Sequence, residues 1–190
     1  MIPSLLLPAE LREEAFIAGG YAACPALAQD VDVWIPSTHS LLKITRISVL
    51  DHLLRVANAH APLPGDLSFT VQDDDDSPRG QMLESDAPPP SVCQLNTFEG
   101  YNSILRLRRA ATVNIVGHTL PYHIIIVEGS VDDVLSSFDI STHQVALTWK
   151  GVVRGEHWTP PNEPPVVITQ KYTTTERLAK ITARYKVYQQ

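Results

Sequence analysis

Fifteen of the 190 residues are proline, and they are clustered. One cluster falls in 72–90, where Asp73-Asp74-Asp75-Asp76 and Ser77-Pro78-Arg79-Gly80 precede Pro88-Pro89-Pro90. The second is Thr159-Pro160-Pro161-Asn162-Glu163-Pro164-Pro165. Proline fixes φ and removes an amide donor, so neither stretch continues a helix or a central strand. No period of 2 or 3.6 survives in 72–91, which predicts an exposed, flexible acidic loop, its run of aspartates solvated. The chain is thereby expected to divide into a main domain over 1–158, a proline-rich linker over 159–165, and a strand and helix appended over 166–190.

Between the breaks the periodicity is regular. Residues 15–18, 31–35, 67–71, 103–108, 112–116, 122–127 and 145–149 read as strands, with 166–168 a further candidate. Helices are expected over 5–14, briefly over 21–27, over 40–59 and over 173–188. A short one starts at Ser130, with Asp133 at the third position of a capping box. The stripe Ile47, Leu50, Leu54, Ala57 is expected to face the core from the long helix. The sum is an α+β fold, a mixed sheet with helices packed mainly on one face.

Composition narrows the function classes. Hydrophobic residues make up 44% of the chain, enough for a core, and the formal net charge of -6 argues against charge-driven coating of nucleic acid. No apolar run reaches the length of a membrane span, and the first residues lack the basic region of a secretory signal. Two cysteines, Cys24 and Cys93, make no disulfide framework. A cytoplasmic, reducing setting without membrane association is expected.

Chemistry concentrates in one segment. Ala18-Gly19-Gly20 is followed, after nine residues, by Asp30-Val31-Asp32-Val33. Residues i and i+2 of a strand face the same way, so Asp30 and Asp32 project together while Val31, Val33 and Ile35 face the opposite side. Two carboxylates so close repel each other when ionised, and a divalent cation removes that penalty. Mg²⁺ takes oxygen ligands of this kind, commonly with substrate phosphates completing its shell. The paired glycines allow backbone amides to approach a phosphate. Trp34 follows on the aspartate side by alternation, where a ring would stack a base or simply pack. His118 and His123 flank a turn and read as loop or edge residues.

This segment resembles the signature of the DNA polymerase β-like nucleotidyltransferase superfamily: a hydrophobic residue, Gly, Gly or Ser, a gap, then Asp-hydrophobic-Asp/Glu-hydrophobic. A second stretch, Val134-Leu135-Ser136-Ser137-Phe138-Asp139-Ile140 with Gln144-Val145-Ala146, is similar to one in viral, phage and fungal members, downstream of a strand here written Asn114-Ile115-Val116. Together the two span about residues 15–150. The resemblance implies Mg²⁺ (or Mn²⁺), a nucleoside triphosphate such as ATP, and transfer of a nucleotidyl group to an acceptor hydroxyl on RNA or protein. It implies Asp30, Asp32 and Asp139 as metal-binding and catalytic carboxylates, and Gly19 and Gly20 beside the triphosphate; the rival position for the third carboxylate, on the 122–127 strand, carries His123. Trp34, Arg106 and Arg108 join them as nucleotide-binding candidates. Gly20 stands where many members have Ser, and no cationic residue lies between Gly20 and Asp30, so any charge for the triphosphate must come from elsewhere in the chain. A catalytically inactive nucleotide-binding or protein-interaction module is the competing expectation. The basic stripe Arg177, Lys180, Arg184 adds a third, an acceptor nucleic acid on the last helix, set against simple packing of Leu178, Ile181, Tyr185 and Tyr188.

Overall fold

A computed structural model describes residues 2–60, 67–70, 107–115, 118–168 and 174–186. The elements in chain order are α1 (Ala9–Arg12), β1 (Phe16–Ala18), α2 (Gly20–Ala23), β2 (Val31–Ser37), α3 (Leu42–His60), β3 (Leu67–Thr70), β4 (Leu107–Ile115), β5 (Tyr122–Glu128), α4 (Val131–Ser137), β6 (Val145–Thr148), β7 (Gly151–Arg154) and α5 (Thr175–Tyr185). The fold is α+β. Seven strands form one mixed, open sheet in the order β3-β4-β5-β2-β1-β6-β7. Among the described strands β2 and β5 alone run parallel, and every other neighbouring pair is antiparallel.

Alternation along the central strands builds two apolar faces. Val31, Val33 and Ile35 of β2 and Ile124 and Ile126 of β5 point to one face, where α3 lays Leu42, Val49 and Leu53 over them and the N-terminal Leu6 and Leu7 fill the side. Phe16, Ala18, Trp34, Ile125 and Val127 point to the other, under Val134 and Leu135 of α4 and Phe138 beyond it. Each fully buried aliphatic side chain here contributes roughly 1.5–3 kcal/mol by leaving water. Helices therefore cover both faces rather than mainly one, because the central strands are apolar on both sides and each side needs a lid.

The capping box of α4 forms as expected. The Asp133 amide donates to Ser130 Oγ at 3.2 Å, and the Ser130 amide donates to Asp133 Oδ2 at 2.7 Å. The Ser130 hydroxyl also donates to Asp133 Oδ2 at 2.7 Å, and these two donors hold the carboxyl below its ordinary pKa, the backbone amide most. The stripe expected on α3 is out of phase. Leu42, Arg46, Val49 and Leu53 are buried and Leu50 of the expected stripe packs beside them, whereas Ile47 and Leu54 are about half exposed and the Ala57 side chain lies outside the described residues. Apolar residues lie on two sides of this helix, and the buried side carries Arg46, so the apolar pattern favoured the wrong face. The strands expected at 103–108 and 112–116 contribute to one strand, β4, with a register shift between Arg109 and Ala111. β7 carries no strong alternation and was not expected.

The C-terminal segment packs on the sheet domain. Ser141 receives the strap after the prolines: its amide donates to the Val166 carbonyl at 2.9 Å and the Val166 amide donates to Ser141 Oγ at 2.9 Å. The strand expected at 166–168 is reduced to one bridge, Ile140 to Val167. Ile181 and Tyr185 of α5 are buried against Cys24 and Ile140, with Leu178 packed at their side. The expected loop at 72–91, Cys93, Arg106 and Tyr188 lie outside the described residues.

Candidate metal centre

Register creates the site. In the parallel pair, Asp32 of β2 stands opposite His123 of β5, and partners in register point to the same side of a sheet. Asp30 sits one residue before β2 and returns to that side. The His123 Nδ1 donates to Asp32 Oδ1 at 3.2 Å and lies 3.9 Å from Asp30 Oδ2. Ligand atoms of Asp30, Asp32 and His123 all lie within 4.8 Å of one another. The three side chains are partly open to solvent, His123 least at 17% and Asp30 most at 44%.

The double-glycine bend closes one side of this group. Gly19 has φ of +87°, a conformation that side-chain-bearing residues rarely adopt. A methyl group built on it would stand 3.8 Å from Asp32 Oδ2 and 3.6 Å from the Phe138 ring. The bend expected beside the aspartates is thus in contact range of one of them. A methyl built on Gly20 would stand 3.8 Å from Arg184 Nη1. Arg184 comes from α5, and its Nη2 donates to Gln29 Oε1 at 3.0 Å.

Asp139, expected as the third carboxylate, is not in the group. Its side chain is 4% exposed. Arg177 grips it with two hydrogen bonds, Nε donating to Oδ2 and Nη2 to Oδ1, each at 3.0 Å. His123 holds the place beside Asp32 instead. Trp34 shares the aspartate side of β2 as alternation requires, but it is 2% exposed and meets Phe138 edge-on at 6.0 Å. A stacking role needs an open ring face, so Trp34 is a core residue here rather than a base platform. Arg108 is described by its backbone alone, in register with Ile126.

Sequence reading put His123 at the rival position for the third carboxylate without taking it as a ligand, and it missed His143. His123 is not a loop or edge residue: it lies on a central strand, with a neighbour on each side. Its signal was the alternation of Tyr122-His123-Ile124-Ile125, which places one polar side chain among apolar ones. His143 lies deeper, edge-on to Phe138 and Tyr185 at centroid distances of 6.4 and 6.0 Å. Burial pushes its pKa down to about 4, helped by the Arg177 charge and opposed by Asp139; Arg184 and Asp32 act more weakly. The same imidazole thus senses charges from α5, from Asp139 and from the site.

The donor set fits a divalent cation. Two carboxylates supply hard oxygen and one imidazole supplies nitrogen, a mixture that suits Mn²⁺ better than an all-oxygen set would. A cation bound through Nδ1 would take the place of the proton that His123 now shares with Asp32. Among the described residues no helix is long and apolar enough to cross a membrane. Compared with known proteins, the chain matches no family model, no curated protein and no solved structure.

Proposed function

We propose that this chain is a metal-dependent nucleotidyltransferase of the DNA polymerase β-like type, moving a nucleotidyl group from a nucleoside triphosphate to an acceptor hydroxyl on RNA or protein. The observation that carries the reading is the meeting of Asp30, Asp32 and His123 within 4.8 Å, beside the glycine bend, where a methyl group on Gly19 would stand 3.8 Å from Asp32 Oδ2. Mg²⁺ or Mn²⁺ bound there would neutralise charge on the transferred phosphate and the leaving group. Asp30 and Asp32 hold the cation, and His123 completes the protein donors. Gly19 and Gly20 keep side chains away from the place the phosphates occupy. Asp139 acts at a distance, fixing α5 through Arg177.

The test is transfer from an α-labelled nucleoside triphosphate with Mn²⁺ or Mg²⁺. Asp32→Asn is expected to lower transfer at least about a hundredfold, since a metal carboxylate is lost. It is expected to leave the melting temperature within a few degrees, because Asp32 is not a core residue. Transfer that survives the substitution rejects the reading. The inactive binding module is favoured by one observation, the engagement of both Asp139 oxygens by Arg177, which leaves two carboxylates at the site. It predicts nucleotide-dependent stabilisation with no transfer to any acceptor.

A further inference from the structure

The segment from Gly20 to Asp30 contains no lysine or arginine, yet a polyanion at the glycine bend needs a positive charge that the cation alone does not supply. The fold brings one from 155 residues away along the chain: the Arg184 guanidinium, bonded to Gln29 Oε1 at 3.0 Å. The two glycines are approached from two sides. The position of a methyl on Gly19 lies 3.8 Å from Asp32 Oδ2, and that on Gly20 lies 3.8 Å from Arg184 Nη1. An anion seated on the bend would have the Asp30–Asp32–His123 group on one flank and a guanidinium on the other.

Arg184 is held, not loose. Its neighbour Tyr185 is fully buried, and Ile181 one turn earlier is 5% exposed. Arg177, seven residues before Arg184 and so on the same side of the helix, is pinned to Asp139 by two hydrogen bonds. With α5 fixed at both ends, only the Arg184 side chain needs to adjust. Gln29 is a neutral partner, so the guanidinium keeps its full charge. Its planar fork suits two phosphate oxygens at once.

We infer that Arg184 is the phosphate-recognising cation of this site, binding the outer phosphates of a metal-bound triphosphate at the Gly19–Gly20 bend. The C-terminal helix is therefore part of the binding site. The inference rests on the nucleotidyltransferase reading, and its test separates the two.

Titration calorimetry on the full chain uses three probes: Mn²⁺ alone, inorganic tripolyphosphate with Mn²⁺, and AMP with Mn²⁺. Wild type is expected to bind Mn²⁺, and tripolyphosphate in a Mn²⁺-dependent manner. Arg184→Gln is expected to weaken tripolyphosphate about tenfold or more, the usual loss for a charge-assisted pair, while Mn²⁺ alone and AMP change less than about twofold. Arg184→Lys should recover part of the loss, as a point charge without the fork. A tripolyphosphate affinity equal to wild type in Arg184→Gln overturns the inference and leaves the metal reading standing. So does a parallel fall for all three probes, which marks a merely structural arginine. Absence of Mn²⁺ binding in wild type overturns the metal reading itself, and this inference with it.

Discussion

At position 123 an imidazole stands where a carboxylate would make the proposed ligand set all oxygen. The difference is one of softness: nitrogen raises affinity along the series from Mn²⁺ upward and does little for Mg²⁺. His123→Asp is therefore expected to strengthen Mg²⁺ binding and to lower the ratio of Mn²⁺ to Mg²⁺ affinity by about tenfold. Calorimetry with each ion reads that ratio directly, and an unchanged ratio would place His123 outside the ligand set. The same position shows which site residues a sequence can reveal. Asp30 and Asp32 were legible because a strand's period of two is local. His123 was not, because its place beside Asp32 is set by a strand pairing 91 residues away. Trp34 was put on the right side of its strand, but alternation gives a side chain's direction and not its depth.

At the scale of elements, the helix that closes the chain has the most to lose from one change. Arg177 makes two hydrogen bonds to a carboxylate that is 4% exposed, while its own side chain is 28% exposed. Removing a charged donor from a buried acceptor costs more than the net worth of the pair. Arg177→Met is expected to destabilise by about 2–3 kcal/mol, measured by urea denaturation. Its effect on α5 is expected to show as faster amide exchange over 175–185 than over β2 or β5. Uniform exchange across these elements would mean that α5 is held by Ile181 and Tyr185 alone. The helix was foreseen over 173–188 with its apolar stripe, a local signal. That Arg177 turns toward a buried acid and Arg184 toward Gln29 was not foreseen, since a basic stripe looks the same whether it faces water or a partner on the domain. The phase of α3 escaped for a related reason: Arg46 sits at a buried position that an apolar pattern assigns to solvent.

For the whole molecule, the buried His143 couples stability to pH. Its pKa is lowered to about 4, first by burial and then by the Arg177 charge. Once unfolded it would titrate near the ordinary value of about 6.5. Between those values the unfolded chain binds a proton that the folded chain refuses, so stability rises with pH across this window. The contribution is complete above about pH 6.5, is lost progressively as pH falls, and is gone below about pH 4. A displacement of this size corresponds to about 3 kcal/mol at most. Wild type is expected to lose urea resistance steadily from pH 6.5 to pH 4, and His143→Gln, which cannot titrate, to lose much less over the same interval. Equal slopes in the two proteins would show that the acid sensitivity of this window does not come from His143; Asp133 does not supply it either, since its lowered pKa keeps its contribution intact until pH falls below the ordinary carboxyl value. Because His143 packs against Tyr185 of α5, its protonation is expected to loosen the C-terminal helix first. Tripolyphosphate affinity at the glycine bend should then fall with pH before global unfolding begins.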